Sequence, residues 1–92
     1  MERDRFRVSP AVRASVSDDG LVLLDVQGGL LLASNLVGAR IWQLLEQRRT
    51  RLEIARQLAE DYEVSVDDAH RDVVAFVGAL TARGLVSEEP TC

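Results

Sequence analysis

The sequence predicts an α+β fold in which three antiparallel strands precede three helices, in the order βββααα. Two observations support this prediction. Between residues 12 and 33, short apolar stretches with the character of strands are separated by two turn signals. From about residue 35 onwards, apolar residues recur at helical spacing in three stretches, each with a capping residue at its start.

Three strands are predicted in the first third of the chain. Val12 to Ser17 alternates apolar and polar residues, and its apolar side chains are expected to form one buried face. Asp18-Asp19-Gly20 supplies a tight turn, after which Leu21 to Val26 forms the second strand. Gln27-Gly28-Gly29 is the second turn, and Leu30 to Ala33 is the third strand. Together the strands form an antiparallel meander.

The first helix is predicted after a cap at Ser34 or Asn35. Its buried stripe is expected to consist of Val37, Ile41, Leu44 and Leu45, with Trp42 to the side. The second helix begins after Thr50, because Thr50 and Glu53 have the spacing of a capping box. Its core face is expected to consist of Ala55, Leu58, Ala59 and Tyr62.

Ser65 is expected to cap the third helix, with Asp67 and Asp68 at the positive end of its dipole. The core stripe of this helix is predicted to be Ala69, Val73, Phe76, Val77 and Leu80. Gly84 ends the helix in a left-handed conformation, and Leu85 and Val86 fold back onto the core.

Length and charge restrict the class of protein. The 92 residues suit a single domain over 1–92, with an ordered core at about residues 6–87. A net charge of −4 argues against a nucleic-acid partner and fits a peptide or protein with basic or apolar groups. The sequence has neither a signal peptide nor an apolar run long enough for a membrane span, so we expect a cytoplasmic protein.

Catalytic, cofactor and metal sites are not expected. His70 is the single histidine, and no nucleophile is predicted beside it. Cys92 is the single cysteine and is the last residue, which excludes a disulfide or a cysteine-based metal site within one chain. The adjacent acidic pairs fall at turns, helix starts and the tail, where capping explains them.

The predicted sheet has more apolar residues than a sheet with one buried face requires. Leu21 to Leu24 and Leu30 to Ala33 are apolar on both faces, so something should cover the second face. The N-terminal arm from Phe6 to Pro10, a partner peptide or a second subunit could do so. An open strand edge beside an apolar helix face is also suited to β-augmentation by an extended peptide.

An ordered set of motifs spans about residues 12 to 87. It consists of Leu23-Leu24-Asp25, Gly29, Asn35-x-x-Gly38-Ala39-x-Ile41-Trp42-x-Leu44-Leu45, Thr50, Glu53-Ile54-Ala55, Leu58, Tyr62, Val64, Asp72-Val73, Phe76, Leu80 and Gly84-Leu85. As a set, these motifs resemble the PqqD-like family of precursor-peptide recognition elements. The match is most similar to the stand-alone leader-binding protein of lasso-peptide pathways.

The resemblance implies a winged helix-turn-helix-like fold without catalytic activity. It also implies that the leader of a ribosomally made precursor adds as a strand to the third strand and lies against the third helix. Partners implied by the lasso pathway are a leader peptidase and a macrolactam-forming synthetase. Alternatives are a PqqD-type peptide chaperone in pyrroloquinoline quinone biosynthesis and a winged-helix DNA-binding regulator. The chain is expected to be a monomer or a weak dimer.

Carried onto this sequence, the resemblance implies two sets of contact residues. The strand edge would comprise Gly29, Leu30, Leu31, Leu32 and Ala33. The groove wall would be the flank of the third helix away from Phe76, comprising Asp67, Asp68, Arg71, Val74, Ala75 and Gly78. Gly78 would allow close approach of a peptide, or alternatively packing against the strands. Leu31-Leu32 departs from the family pattern, where aromatic residues are common.

Overall fold

The computed structural model describes residues 5–27, 29 and 31–88, and of Leu31 the backbone alone. It has three antiparallel strands followed by three helices, which confirms the predicted α+β class. The elements in chain order are β1 Phe6–Val8, β2 Val12–Ser17, β3 Gly20–Asp25, β4 Leu31–Ser34, α1 Leu36–Glu46, α2 Arg51–Tyr62, α3 Val66–Ala82 and β5 Val86–Glu88.

The meander has the strand order β2-β3-β4, with antiparallel pairing throughout. Ser17 pairs with Gly20 across the Asp18-Asp19 turn, and Leu21 pairs with Ser34 on the other side of β3. Gly20 has a φ of 133°, a conformation that residues with a Cβ rarely adopt. A side chain there would also collide with the backbone of Ser34, so this turn requires glycine. Val26 lies just beyond β3, in the turn.

Two short strands were absent from the prediction. β1 and β5 form a separate antiparallel ribbon in which Phe6 pairs with Glu88 and Val8 pairs with Val86. The N-terminal arm is therefore not the element that covers the apolar second face of the meander. It packs Phe6 into the core instead, where the side chain is 3% exposed.

All three predicted helices are present, and their starts follow the predicted capping chemistry. Asn35, rather than Ser34, caps α1 by accepting a hydrogen bond from the Gly38 N–H at 3.0 Å. Thr50 and Glu53 form both halves of a capping box at α2. Ser65 caps α3, and Gly84 follows its end with a φ of 74°.

The buried core joins the meander, the three helices and the ribbon. Its members are Phe6, Leu21, Leu23, Ala39, Ile41, Trp42, Leu44, Leu45, Ile54, Ala55, Leu58, Ala69, Val73, Val77, Leu80, Leu85 and Val86. Trp42, predicted beside the stripe, is among the most deeply buried residues at 1% exposure. Burial of Leu85 and Val86 agrees with the prediction that they fold back.

Three predicted core positions are wrong. Val16 and Tyr62 are 45% and 44% exposed, and Ala14 is also exposed. β2 is an edge strand of the meander and pairs with β3 alone. The core covers Leu21 and Leu23 on β3, but it leaves Ala14 and Val16 on β2 exposed. Tyr62 lies at the last turn of α2, where Glu63 turns the chain into the left-handed region.

Within the ranges that the structure describes, no helix combines the length and the apolar character needed to cross a membrane. In the same ranges, no three or more histidine, cysteine, aspartate or glutamate residues are grouped as metal ligands would be. Cys92, Gly28 and Leu30 lie outside the described residues.

Candidate peptide-binding site

The edge of β4 that faces away from β3 carries main-chain groups at alternate residues. The Val26 N–H donates to the Ala11 carbonyl at 3.0 Å, so Val26 directs its main-chain groups toward the β2 side. Because successive residues of a strand bond to opposite neighbours, this bond fixes which residues of β3 pair with β2 and which pair with β4. Even-numbered residues of β3 therefore bond to β2, and Leu21 and Leu23 bond to their partners Ser34 and Leu32. It follows that Leu31 and Ala33 direct their N–H and C=O groups outward.

The predicted edge residues consequently differ in whether their main-chain groups are available to an added strand. Leu32 uses its main-chain groups toward β3, and its half-buried side chain packs on the core. Gly29 is exposed with a φ of 70°, and its N–H donates to the Asp25 carbonyl at 2.7 Å. The outward donors of this edge are those of Leu31 and Ala33.

A cleft of about 510 Å³ adjoins this edge, between the end of β4, the start of α1 and one flank of α3. Its lining residues are Ser34, Asn35, Val37, Gly38, Ile41, Asp72, Ala75, Phe76 and Ala79. The cleft begins where the free strand edge ends, so an extended peptide paired with β4 would run along it.

Gly38 allows the walls of the cleft to come close together. A Cβ at this position would overlap the Ser34 side chain, with the Ser34 Cβ at 2.7 Å, and would lie 3.2 Å from the Phe76 ring. Because Asn35 caps α1 through the Gly38 N–H, the two motif residues act together at this corner. The Asn35-x-x-Gly38 motif therefore combines a predicted helix cap with a close approach at Gly38 that the sequence pattern did not indicate.

The helical wall of this cleft and the predicted groove wall share one residue. The prediction placed the groove wall on the flank of α3 away from Phe76, whereas Phe76 itself lines the cleft together with Asp72 and Ala79. Of the predicted wall residues, Ala75 lines the cleft. The others are exposed and lie outside its lining: Asp67, Asp68, Arg71, Val74 and Gly78. Asp72, Phe76 and Ala79 recur at the three- and four-residue spacing of one helix face, a signal that could have found them.

Gly78 has free space in front of it. A Cβ at this position would meet nothing within 4 Å, so packing against the strands does not explain the glycine. The outer face of the meander is open as well, because Val22 and Leu24 are 43% and 41% exposed. Intramolecular coverage of that face is absent among the described residues.

Charges near the cleft are mostly paired. Arg71 lies 3.6 Å from Asp68, one helical turn away on α3. The Arg40 guanidinium donates to Asp61 at 3.1 Å. Hydrogen bonding from Gln57, followed by that from Arg40, lowers the pKa of the Asp61 carboxyl.

Comparison with known proteins places this geometry in a family. The family model described as coenzyme PQQ synthesis protein D (PqqD) matches residues 20–86. This range contains β3, β4, the three helices and every residue that lines the cleft. Among curated proteins, none matches the chain at a significant level.

Two solved structures share the fold over nearly the whole chain. "TbiB1 in Complex with the TbiA(beta) Leader Peptide" is 33% identical, with a TM-score of 0.82, and the match covers 92% of this chain and 99% of that one. "Lasso peptide synthetase B1 complexed with the leader peptide" is 34% identical, with a TM-score of 0.81 and coverages of 90% and 98%.

Proposed function

This chain belongs to the PqqD family, and from that membership we propose that it binds the leader of a ribosomally made precursor peptide in lasso-peptide biosynthesis. The two solved structures described above were determined with a leader peptide bound. The bound leader would add to β4 as a fourth antiparallel or parallel strand of the meander.

The observation that carries the proposal is the free edge of β4 next to a cleft. Leu31 and Ala33 present main-chain groups outward, and the cleft wall of Asp72, Ala75, Phe76 and Ala79 lies alongside. Main-chain pairing would hold a peptide of almost any sequence, while the cleft would select among its side chains. Among the strands that the structure describes, none pairs with the outer edge of β2 either, but no residue of β2 lines the cleft.

The remaining residues implied by the family resemblance are proposed as additional leader contacts outside the cleft. Gly29 and Leu30 would extend the strand edge. Asp67, Asp68, Arg71, Val74 and Gly78 would meet a leader that continues over α3 beyond the cleft. Gly78 fits this role because nothing in the described chain occupies the space before it.

The protein would contribute no chemistry of its own. By holding the leader, it would raise the effective concentration of the attached core peptide at a leader peptidase and a macrolactam synthetase. These enzymes would act in the cytoplasm, and the binding protein would work there as a monomer or weak dimer.

A matched pair of proline variants tests the proposal. Ala33→Pro removes an outward N–H from β4 without removing a bond to β3, and edge strands tolerate such prolines. Ala14→Pro makes the same change on the outer edge of β2. The probe is a synthetic leader from the precursor gene beside the one for this chain, titrated by calorimetry. We expect Ala33→Pro to weaken binding about tenfold and Ala14→Pro to leave it unchanged.

Two results would contradict the proposal. One is that the native chain fails to bind the leader at high micromolar concentration. The other is that both proline variants bind as tightly as the native chain, since the guest would then not use β4. Fluorescence of Trp42, the single tryptophan of the chain, checks that each variant is folded.

A peptide chaperone in pyrroloquinoline quinone biosynthesis is the second candidate, because the matching family model is described as coenzyme PQQ synthesis protein D. Titration with a leader from each pathway would separate the two, since the tighter partner identifies the pathway. DNA binding is not proposed, because the first turn of α3 carries Asp67 and Asp68 and the net charge is −4.

A further inference from the structure

Two neighbouring cavities share a wall. The first is the 510 Å³ cleft beside β4, and the second is an apolar cavity of about 140 Å³ where the three helices meet. The second cavity is lined by Val37, Leu58, Tyr62, Val64, Ala69 and Asp72. Val37 and Asp72 belong to both linings, so a peptide that fills the cleft must pass the Asp72 carboxylate.

Asp72 is the one charged residue among those that line either cavity. The nearest residues of α3 do not neutralise it, because Arg71 is 3.6 Å from Asp68. The Arg40 guanidinium at α1 is likewise bonded to Asp61. Within the described residues, Asp72 is therefore an exposed carboxylate without an ion-pair partner, set in a mainly apolar wall.

We infer that Asp72 is a cation subsite that pairs with a lysine or arginine side chain of the bound peptide. The inference rests on the proposed leader binding and specifies the chemistry of the guest. A carboxylate beside an apolar wall is poorly satisfied once a peptide displaces water from the cleft, unless the peptide brings a positive charge. A net charge of −4 favours the approach of such a basic segment.

The position of the carboxylate also determines where the basic residue lies in the guest. Ser34, at the end of β4, and Asp72 line the same cleft. A long side chain of a residue paired near the end of β4 can therefore reach the carboxylate. Guanidinium would be favoured over ammonium, because its planar fork can donate two hydrogen bonds to one carboxylate.

Charge variants of the chain and the peptide test this inference. The chain variants are Asp72→Asn and, as control, Glu60→Gln, which changes an exposed carboxylate on α2 outside both linings. The probe is the synthetic leader of the neighbouring precursor gene, together with versions in which each lysine or arginine is changed to glutamine in turn. Affinities are measured at low and at high salt.

We expect Asp72→Asn to weaken binding of the native leader about fivefold at low salt, and less at high salt. One of the glutamine-substituted leaders should bind the native chain as weakly as the native leader binds Asp72→Asn. The same substituted leader should lose little further affinity when it is titrated into Asp72→Asn. Glu60→Gln should bind like the native chain.

Equal binding of Asp72→Asn and native chain at low salt would overturn the inference, while leader binding itself would stand. A loss that is the same for every substituted leader would also overturn it, since no single cation would then be the partner. If the native chain bound no leader at all, leader binding and the cation subsite would fall together.

Discussion

At the scale of single residues, three glycines illustrate how space determines the need for glycine. Gly20 and Gly38 stand where a Cβ would collide with Ser34, at the turn of the hairpin and at the corner of the cleft respectively. Gly78 faces open space on a helix. The first two are required by the fold itself, whereas the fold gives no reason for the third.

Gly38→Ala should destabilise the protein by roughly 1–3 kcal/mol, because its new methyl group must displace Ser34 or Phe76. It should also weaken leader binding, since Ser34 and Phe76 line the cleft. Urea denaturation followed by Trp42 fluorescence measures the free energy of unfolding, and calorimetry measures the affinity.

Gly78→Ala is the control for that substitution. The methyl group meets nothing within 4 Å, and alanine is favoured over glycine within a helix by about 0.5–1 kcal/mol. We therefore expect a gain in stability. A loss of stability in Gly78→Ala, or none in Gly38→Ala, would contradict this account of the two positions.

At the scale of elements, each helix start is specified by its own sequence. Asn35, Thr50 and Ser65 each accept a hydrogen bond from a main-chain N–H three residues later. Thr50 and Glu53 add the reciprocal bond, in which the Thr50 N–H donates to the Glu53 carboxylate at 2.8 Å. Such short-range interactions can be predicted without knowledge of the tertiary structure.

The capping box makes the stability of the protein depend on pH. The hydrogen bond from the Thr50 N–H is the largest cause that lowers the pKa of Glu53 below its ordinary value of 4.5, and Arg5 and Arg49 add to it. Because the pKa of the Glu53 carboxyl is lowered in the folded state, its stabilisation of the fold is fully present above pH 4.5 and is lost as the pH falls further. We expect the melting temperature of native chain to exceed that of Glu53→Gln at pH 7 and the gap to close near pH 3.

The control is Glu60→Gln, which removes a carboxylate from α2 away from the capping box. Scanning calorimetry of the three proteins at several values between about pH 3 and about pH 7 measures the difference in melting temperature directly. If the difference in melting temperature between the native chain and Glu53→Gln stayed constant with pH, the capping carboxylate would be excluded as the source of that difference.

At the scale of the whole molecule, the β1–β5 ribbon joins the two ends of the described chain. Phe6 is 3% exposed in the same cluster as the helices, and the Arg51 guanidinium lies 5.3 Å from its ring centroid. The ribbon is separate from the sheet that offers its edge to the peptide. A substitution at Phe6 should therefore lower the free energy of unfolding without changing the affinity of the folded protein for the leader.

Phe6→Ala should lower the free energy of unfolding by about 3–5 kcal/mol, as expected for a buried aromatic side chain. The milder Phe6→Leu keeps the protein folded and should bind leader like the native chain. Arg7→Ala, on the exposed face of the same strand, is the control. The sequence predicts one domain over residues 1–92, so each unfolding curve should be a single transition.

A destabilisation by Phe6→Ala no larger than that by Arg7→Ala would contradict the burial of the arm in the core. Two separate transitions in the native chain would contradict the single domain. Both are read from the same urea denaturation curves.

The sequence by itself determined the order of the three meander strands and the three helices, the helix caps, the turn at Gly20 and the open strand that was proposed as the peptide edge. These features depend on residues a few positions apart, so periodicity and capping motifs reveal them. The family resemblance added the role of that strand, which no local pattern could supply.

Tertiary structure decided the rest. The rotation of α3 about its axis, which puts Asp72, Phe76 and Ala79 rather than Val74 and Gly78 on the cleft, is set by how α3 packs on α2 and β5. The pairing of β1 with β5 joins two three-residue segments from opposite ends of the described chain, too short to show a period. Contacts between residues so distant in sequence follow from the packing of the core, which local patterns do not encode.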